Sequence, residues 1–470
     1  MRCRVDEAAV AVAGQVIAGE ASSVWDGAAI DSRAVRGGEM FFAFAGARTD
    51  GHRFVPDAFA RGAAAAMIQE TVPAGSVSAG ALIRVEDTFR ALHDLTRTVR
   101  ARVPRHLVGI TGSAGKTTTK ELLAAMLATR FRVARTPGNL NNLYGFPLAL
   151  LNVPDDTEWM VAEMGMSTPG ELRQLSLLGR PDVALFTVVR PVHLEFFADL
   201  RAIAEAKAEL LAGLAPGGMV VANADDPEVS RIARRAAADG ARVVWYGMRT
   251  EAAVDARALS VAPAPHGEVG SRFRLEIGGE SAEVALPLHG LYNVENCLAA
   301  AACAHALGIP LAAIAEAAAQ VRPAAMRGVV HRLRGGVTLI DDSYNSNPDA
   351  LGRALEGAAL LPAARRWAVL GDMRELGPEG PRFHRQAGER AAEMGFSPVV
   401  GVGELARELA AGARDKGAEA VWLGDAAEAA GWAAGALRDG DLVLVKGSRG
   451  VGLEAAVAAL LARRGEEGAA

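Results

Sequence analysis

The stretch from 107 to 127 constrains this chain more than any other. Four apolar residues (107–110) lead into Thr111-Gly112-Ser113-Ala114-Gly115-Lys116-Thr117-Thr118, and a helical run follows with Leu122, Leu123, Met126 and Leu127 on one face. A buried strand that turns through glycines into a helix is half of a β-α-β crossover, and such crossovers build parallel sheets covered by helices on both faces. The turn also has a chemistry of its own. Gly112 and Gly115 let the backbone N–H groups of Gly112, Ser113, Ala114 and Gly115 approach phosphates, and the helix N-terminus adds positive potential. Lys116 can reach the terminal phosphates, the Thr117 hydroxyl can coordinate Mg²⁺, and Thr118 belongs to the nucleotide-binding loop. The common phosphate-loop pattern has glycine where this chain has Ile110. The strand–turn–helix context still predicts a nucleoside triphosphate site.

Further apolar strands are predicted at 159–162, 183–189, 219–222 and 243–246, separated by helical segments, and an alternating hairpin at 273–288 turns at Gly278-Gly279. A smaller α/β unit precedes this region, with strands at 40–44 and 81–85. After Pro323 a third unit alternates strands (337–340, 367–370, 399–402, 421–423, 442–445) with alanine-rich helices, the form of a dinucleotide-type domain. The 470 residues suit about three domains at roughly 150 each. The expected fold class is therefore α/β with three domains: 1–104, 105–325 with the appended hairpin, and 326–470, the last Rossmann-like.

Composition excludes several alternatives. With 50% hydrophobic and 22% charged residues the chain is neither disordered nor fibrous. A net charge of −5 without a basic block argues against nucleic acid as a partner. The most apolar stretch, 297–319, is mostly alanine and is interrupted by His305 and Pro310, so membrane insertion is not expected. Asp6 and Glu7 follow Arg2 and Arg4, which disfavours a signal peptide. Cys3, Cys297 and Cys303 lack disulfide or zinc spacing and fit a reducing, cytoplasmic compartment.

Residue economy carries more information. Lysine occurs only at Lys116, Lys120, Lys207, Lys416 and Lys446 in a chain rich in arginine. A lysine can lose its proton and react where arginine cannot, so each survivor is judged in its local motif. Chance accounts for Lys120 and Lys416. Asn139, Asn141, Asn142, Asn293, Asn296, Asn345 and Asn347 fall into three short blocks. Glu163 ends an apolar strand, a position from which a carboxylate reaches a metal at the phosphate loop. Taken singly, His193 reads as a hydrogen-bonding loop residue and Lys207 as a surface lysine.

The ordered blocks together resemble the Mur ligase family of ATP-dependent amide-forming enzymes. They include Asp31-Ser32-Arg33, Gly46 and Asp50-Gly51-His52, the phosphate loop, and Thr136-Pro137-Gly138-Asn139. Glu163-Met164-Gly165, His193-Leu194-Glu195 and Ala206-Lys207 follow, then Asn293 and Asn296, and Asp341 to Pro348. Gly371-Asp372-Met373 with His384, and Lys446-Gly447-Ser448-Arg449, complete the match.

The resemblance implies a bacterial, cytoplasmic, monomeric enzyme of peptidoglycan precursor synthesis. It would activate the terminal carboxylate of UDP-N-acetylmuramoyl-tripeptide as an acyl phosphate and pass it to D-alanyl-D-alanine. It assigns Ser32, Arg33, Gly46, Asp50, Gly51 and His52 to the UDP-linked substrate, and Asn296, Arg327 and Asp342 to ATP beside the loop. Tyr344, Asn347, Lys446 and Arg449 fall on the acceptor or phosphate side. Lys116, Glu163, His193 and Lys207 become catalytic, with Thr117, Glu163, His193 and Lys207 holding two Mg²⁺ ions. Lys207 would do so as a carbamate formed with CO₂, because an ammonium cannot ligate Mg²⁺. Closure of the domains around ATP is expected. Tyr292 and Met326 depart from the histidine and glycine common in relatives. The competing readings are a family member that adds a free amino acid, although no Asp-Asn-Pro-Arg sequence occurs, a nucleotide switch, and an inactive binding subunit.

Overall fold

Strand His106–Thr111 lies inside a nine-stranded sheet, flanked by Trp159–Glu163 on one side and Val183–Phe186 on the other, both parallel to it. Val133–Arg135 closes the sheet beyond Trp159–Glu163, while Met219–Asn223 and Arg242–Gly247 extend the other side in parallel. The chain therefore crosses over His106–Thr111 on its way from Trp159–Glu163 to Val183–Phe186. That is a topological switch point, where open α/β sheets bind ligands beyond the carboxyl ends of the strands. The computed structural model that shows this describes residues 2–46, 49–72, 80–103, 105–192, 194–249, 254–265 and 269–467.

Alternation along each strand assigns its side chains to two cores. Val108, Ile110, Val161, Leu185 and Val221 face helices Lys116–Ala128, Leu291–Ala306 and Leu311–Gln320, where Leu122, Leu123, Met126 and Leu127 are buried. Leu107, Met160, Ala162, Ala184, Phe186 and Val220 face helices Gly145–Leu151, Glu171–Gly179, Leu200–Ala208 and Pro227–Ala238. Both faces are dry, which is why these strands read as continuous apolar runs. The hairpin is present as Ser271–Ile277 paired with Glu280–Leu286, and Gly278 and Gly279 both take positive φ in its two-residue turn. An unpredicted strand, Ala256–Pro263, joins it to the sheet.

One strand ends sooner than its apolar run. The expected 183–189 strand stops at Phe186 because the next residues turn to wall the phosphate loop: the Thr187 hydroxyl donates to Ala114 O (2.6 Å), and Val188 O accepts the Ser113 N–H (2.7 Å).

The N-terminal unit has a five-stranded sheet in the order Gln15–Ala18, Ala81–Arg84, Ala65–Ile68, Met40–Phe42, Ala28–Ala29, parallel except at its first pairing. Its core of Trp25, Met40, Phe42, Met67 and Ile83 also takes in Leu148 and Leu151 from the helix that follows the phosphate-loop region. The C-terminal sheet runs Val329–Leu333, Val337–Asp342, Asp441–Lys446, Arg365–Gly371, Val399–Val402, Ala420–Leu423, with only the first pair antiparallel. The fold is thus α/β in three domains. Among the described residues no helix is long and apolar enough to cross a membrane.

Candidate active site

The carboxyl ends of the central and C-terminal sheets face one cavity of about 640 Å³. The phosphate loop, Glu163, Thr187 and Lys207 line it from the central sheet, and Asp342, Tyr344, Asn347, Arg374, Lys446 and Arg449 from the C-terminal one.

Gly112 (φ +152) and Gly115 (φ +83) shape the loop, and both positions are closed to any side chain: a Cβ on Gly112 would overlap the Thr187 hydroxyl, and one on Gly115 would overlap Asn296 Oδ1. Lys116 folds back so that its Nζ donates to Gly112 O (2.8 Å). Burial lowers its pKa, opposed by Glu163 and reinforced by Arg327. The Thr117 hydroxyl donates to one oxygen of the Glu163 carboxylate (2.7 Å), and Asn141 Nδ2 donates to the other (2.7 Å). Thr136 Oγ1 accepts the Glu163 N–H at 3.1 Å, fixing the strand end. A hydroxyl and a buried carboxylate beside a phosphate loop are hard oxygen donors of the kind Mg²⁺ takes.

Lys207 is buried, and no acceptor or acidic partner reaches its Nζ among the described residues. Burial, with Lys116 nearby, pushes its pKa well below the ordinary lysine value. His193 lies outside the described residues.

Asn296 is buried; its Oδ1 accepts from Thr119 (3.4 Å) and its Nδ2 donates to Asn293 Oδ1 (3.2 Å). Arg327 stacks on the Tyr344 ring, its guanidinium carbon 3.9 Å from the centroid. The neighbouring Met326 adopts φ +60, a conformation that costs a non-glycine residue about 1–2 kcal/mol. This is the position where relatives were expected to have glycine. Asp342 and Lys446 are each other's partners, at 2.6 Å, and Lys446 also donates to Asn345 O (2.9 Å). Asn347 caps helix Pro348–Ala359 by accepting from Ala350 N (2.8 Å). Arg449 reaches Glu454 (3.3 Å). Tyr292 lines the cavity, its phenol pKa raised by burial and then by Asp342.

The domains are bridged across this cavity by charge. Arg353 pairs with Glu295 (2.7 Å) and Asp349 (3.1 Å), and Asp349 also meets Arg190 (3.3 Å), which holds buried Asp226 (2.6 Å).

The six residues expected at the UDP end lie elsewhere, in the N-terminal domain, and none lines the cavity. Ser32 is buried and Arg33 is exposed, its guanidinium on Asp31 (2.6 Å). Gly46 ends the described segment before residues 47 and 48, and Gly51 donates to Phe44 O (2.8 Å). Asp50 caps the turn at Gly51–Phe54 and accepts from His52 Nδ1 (2.7 Å). His52 Nε2 in turn accepts the Gln69 and Glu70 N–H groups (3.1 and 3.2 Å), so both ring nitrogens are spent inside the domain. Lys120, whose presence was ascribed to chance, has a structural role. It is 1% exposed, and its Nζ donates to Thr136 O (2.7 Å), tying the phosphate-loop helix to the segment that leads to Asn139 and Asn141.

Three family models match: the Mur ligase family catalytic domain at residues 26–134, the Mur ligase middle domain at 110–304, and the Mur ligase glutamate ligase domain at 326–449. A UDP-N-acetylmuramoyl-tripeptide–D-alanyl-D-alanine ligase from Bacillus subtilis (strain 168) is 33% identical over 445 residues, 93% of this chain and 94% of that protein. Among solved structures, MurF from Acinetobacter baumannii superposes with a TM-score of 0.86 at 28% identity, covering 98% of this chain and 99% of that one. MurF ligase from Thermotoga maritima in complex with ADP gives a TM-score of 0.78 at 28% identity over 93% and 97%.

Proposed function

This chain belongs to the Mur ligase family, and from that premise we propose that it joins D-alanyl-D-alanine to UDP-N-acetylmuramoyl-tripeptide at the expense of ATP. The observation that carries the reading is the shared cavity, in which a phosphate loop, an oxygen-donor pair and a buried lysine face the sheet edge of a second domain.

A carboxylate repels nucleophiles, so the tripeptide must first be activated. Its terminal oxygen attacks the γ-phosphorus of ATP, ADP leaves, and the acyl phosphate is then attacked at its carbonyl carbon by the dipeptide amine, expelling phosphate. The N–H groups of the loop and Lys116 hold the phosphates as charge shifts toward ADP. Thr117 and Glu163 would hold one Mg²⁺, which when bound offsets phosphate charge. His193 and Lys207 are proposed for a second ion. Asn296, Arg327 and Asp342 are proposed to frame the nucleotide, and Tyr344, Asn347, Lys446 and Arg449 the acceptor side. The proposed units are 1–104 for the UDP end, 105–325 for ATP and 326–470 for the acceptor. The enzyme is proposed to act as a monomer, and both ATP and UDP-linked peptides are cytoplasmic substrates.

The carbamate on Lys207 is also proposed. A neutral, buried amine attacks CO₂ through its lone pair and releases one proton, which leaves an anionic, oxygen-bearing side chain. If Lys207→Ala stays inactive at every bicarbonate or short-chain carboxylate concentration, that role is refuted.

The test of the function is phosphate release from ATP and Mg²⁺ with UDP-N-acetylmuramoyl-tripeptide, with and without D-alanyl-D-alanine. Dipeptide-dependent release is expected. Release without acceptor would support the switch reading, and release only with a free amino acid and the shorter dipeptide precursor would move the chain one step earlier.

A further inference from the structure

We propose that Arg374 receives the C-terminal carboxylate of the incoming dipeptide and so sets the acceptor specificity of the site; this rests on the ligase reading above. The acceptor brings a carboxylate into a cavity that already holds the phosphates of ATP, and a desolvated carboxylate needs its own cation. Most cations lining the cavity are committed. Lys116 serves the phosphate loop, Lys446 is held by Asp342, Arg353 by Glu295 and Asp349, and Arg449 by Glu454. Lys207 is buried and proposed for Mg²⁺, and Arg327 stacks on the Tyr344 ring near Lys116, at the phosphate end. Arg374 lines the same cavity and has no acidic partner among the described residues.

The loop that carries Arg374 is fixed from several directions. It leaves strand Arg365–Gly371, and the Met373 N–H donates to Nε2 of His384 (2.8 Å), a fully buried ring whose Nδ1 faces Gly380 O (2.7 Å). The Arg374 N–H donates to Ser448 Oγ (3.0 Å), and Ser448 N donates to Asp372 O (3.0 Å). Glu375 is held at φ +64, a strained conformation for a non-glycine residue that persists only where its surroundings enforce it. Its carbonyl accepts from Glu195 N (3.4 Å), which docks the loop against the central domain. The guanidinium lies across Gly450: Nη2 donates to Gly450 O (3.1 Å), and any side chain at 450 would overlap Nη1. One of five donors is thus spent on fixing the side chain, and the others are left for a planar anion. The Gly371-Asp372-Met373 and His384 block, which the phosphate chemistry does not use, acquires a purpose as the frame of this arginine.

The test compares D-alanyl-D-alanine with its C-terminal amide in phosphate release by the full-length enzyme at saturating ATP and UDP-N-acetylmuramoyl-tripeptide. In the unmodified enzyme the amide should show a KM about 10- to 100-fold above the acid, the range of a charge-assisted hydrogen-bonded pair. Arg374→Ala should raise the KM of the acid by a similar factor, leave that of the amide where it was, and leave the KM of ATP unchanged. Arg374→Lys should recover part of the loss, and it carries the same comparison where the alanine variant does not fold. An equal rise for acid and amide, or a rise in the KM of the UDP-linked substrate instead, overturns the proposal. Absence of dipeptide-dependent release in the unmodified enzyme would sink the ligase reading itself, an outcome visible before any variant is made.

Discussion

Replacing Gly115 by alanine should weaken nucleotide binding by a predictable amount. The residue sits at φ +83, where a side chain costs about 1–2 kcal/mol. The new methyl group would also overlap Oδ1 of Asn296, a buried amide that cannot swing away freely because it bonds Thr119 and Asn293. Both of those bonds are long, so their loss adds about 1–2 kcal/mol. The sum, about 2–4 kcal/mol, must appear somewhere. A loop that keeps its shape lowers the thermal midpoint of the free protein. A loop that relaxes must be rebuilt when nucleotide binds, and its Kd for ADP rises by about 30- to 1000-fold if the whole cost falls there. Calorimetric titration with ADP and thermal denaturation of the same sample read both shares. Gly170→Ala is the control: Gly170 has φ +88 with open space around it, so its variant should lose stability and keep ADP affinity. A Gly115→Ala protein with an unchanged midpoint and ADP affinity within about threefold of the parent would refute the reasoning.

Other outcomes follow from the same geometry. Lys207 has a pKa below the 10.5 of a free lysine, so the unfolded chain binds more protons and stability rises with pH through the window that ends near 10.5. In carbonate-free buffer Lys207→Met should flatten that slope in urea denaturation and raise stability at neutral pH, while phosphate release is lost. Glu163→Gln keeps the shape and both bonds, its oxygen accepting from Asn141 and its amide donating to the Thr117 hydroxyl, but removes the charge proposed for Mg²⁺. Its turnover should fall by about 10³ or more with a thermal midpoint close to the parent's. Arg353→Ala cuts the charge chain between domains, and ADP affinity should drop about tenfold, with a weaker salt dependence than the parent. Small-angle scattering with ADP and UDP-N-acetylmuramoyl-tripeptide should show compaction in the parent and less in this variant.

How much of this was legible in the sequence depended on rarity. The chain has nine asparagines, and eight of them line the cavity, Asn152 being the exception. Of five lysines, Lys116, Lys207 and Lys446 line it and buried Lys120 braces its phosphate-loop helix, which leaves only Lys416 on the surface, paired with Glu393. Composition biased toward alanine and arginine strips these residues from places that do not need them, so those that remain mark chemistry. The central and C-terminal strands were legible for a different reason. Burial on both faces makes them continuous apolar runs, whereas short or half-buried strands such as Val133–Arg135, Ala256–Pro263 and Val329–Leu333 carry no such signal.

The same bias explains what stayed hidden. Arg353 and Arg374 were invisible against a background of arginines, because nothing local separates a guanidinium that bridges domains or faces a cavity from one on a solvated helix. What distinguishes them is distance along the chain: Arg353 meets Glu295 58 positions away, Arg374 lies on Gly450 76 positions away, and Lys446 meets Asp342 across 104. Periodicity reports only neighbours within a turn or a pleat, so contacts of this span enter when the strands of the C-terminal sheet line up in parallel, as for Arg374 and Lys446, or when that domain meets the central one, as for Arg353. A motif can announce the phosphate end because one loop builds it. The proposed acceptor end is assembled from the ends of separate strands, and only the folded chain shows that Arg374 lines it with no acidic partner among the described residues.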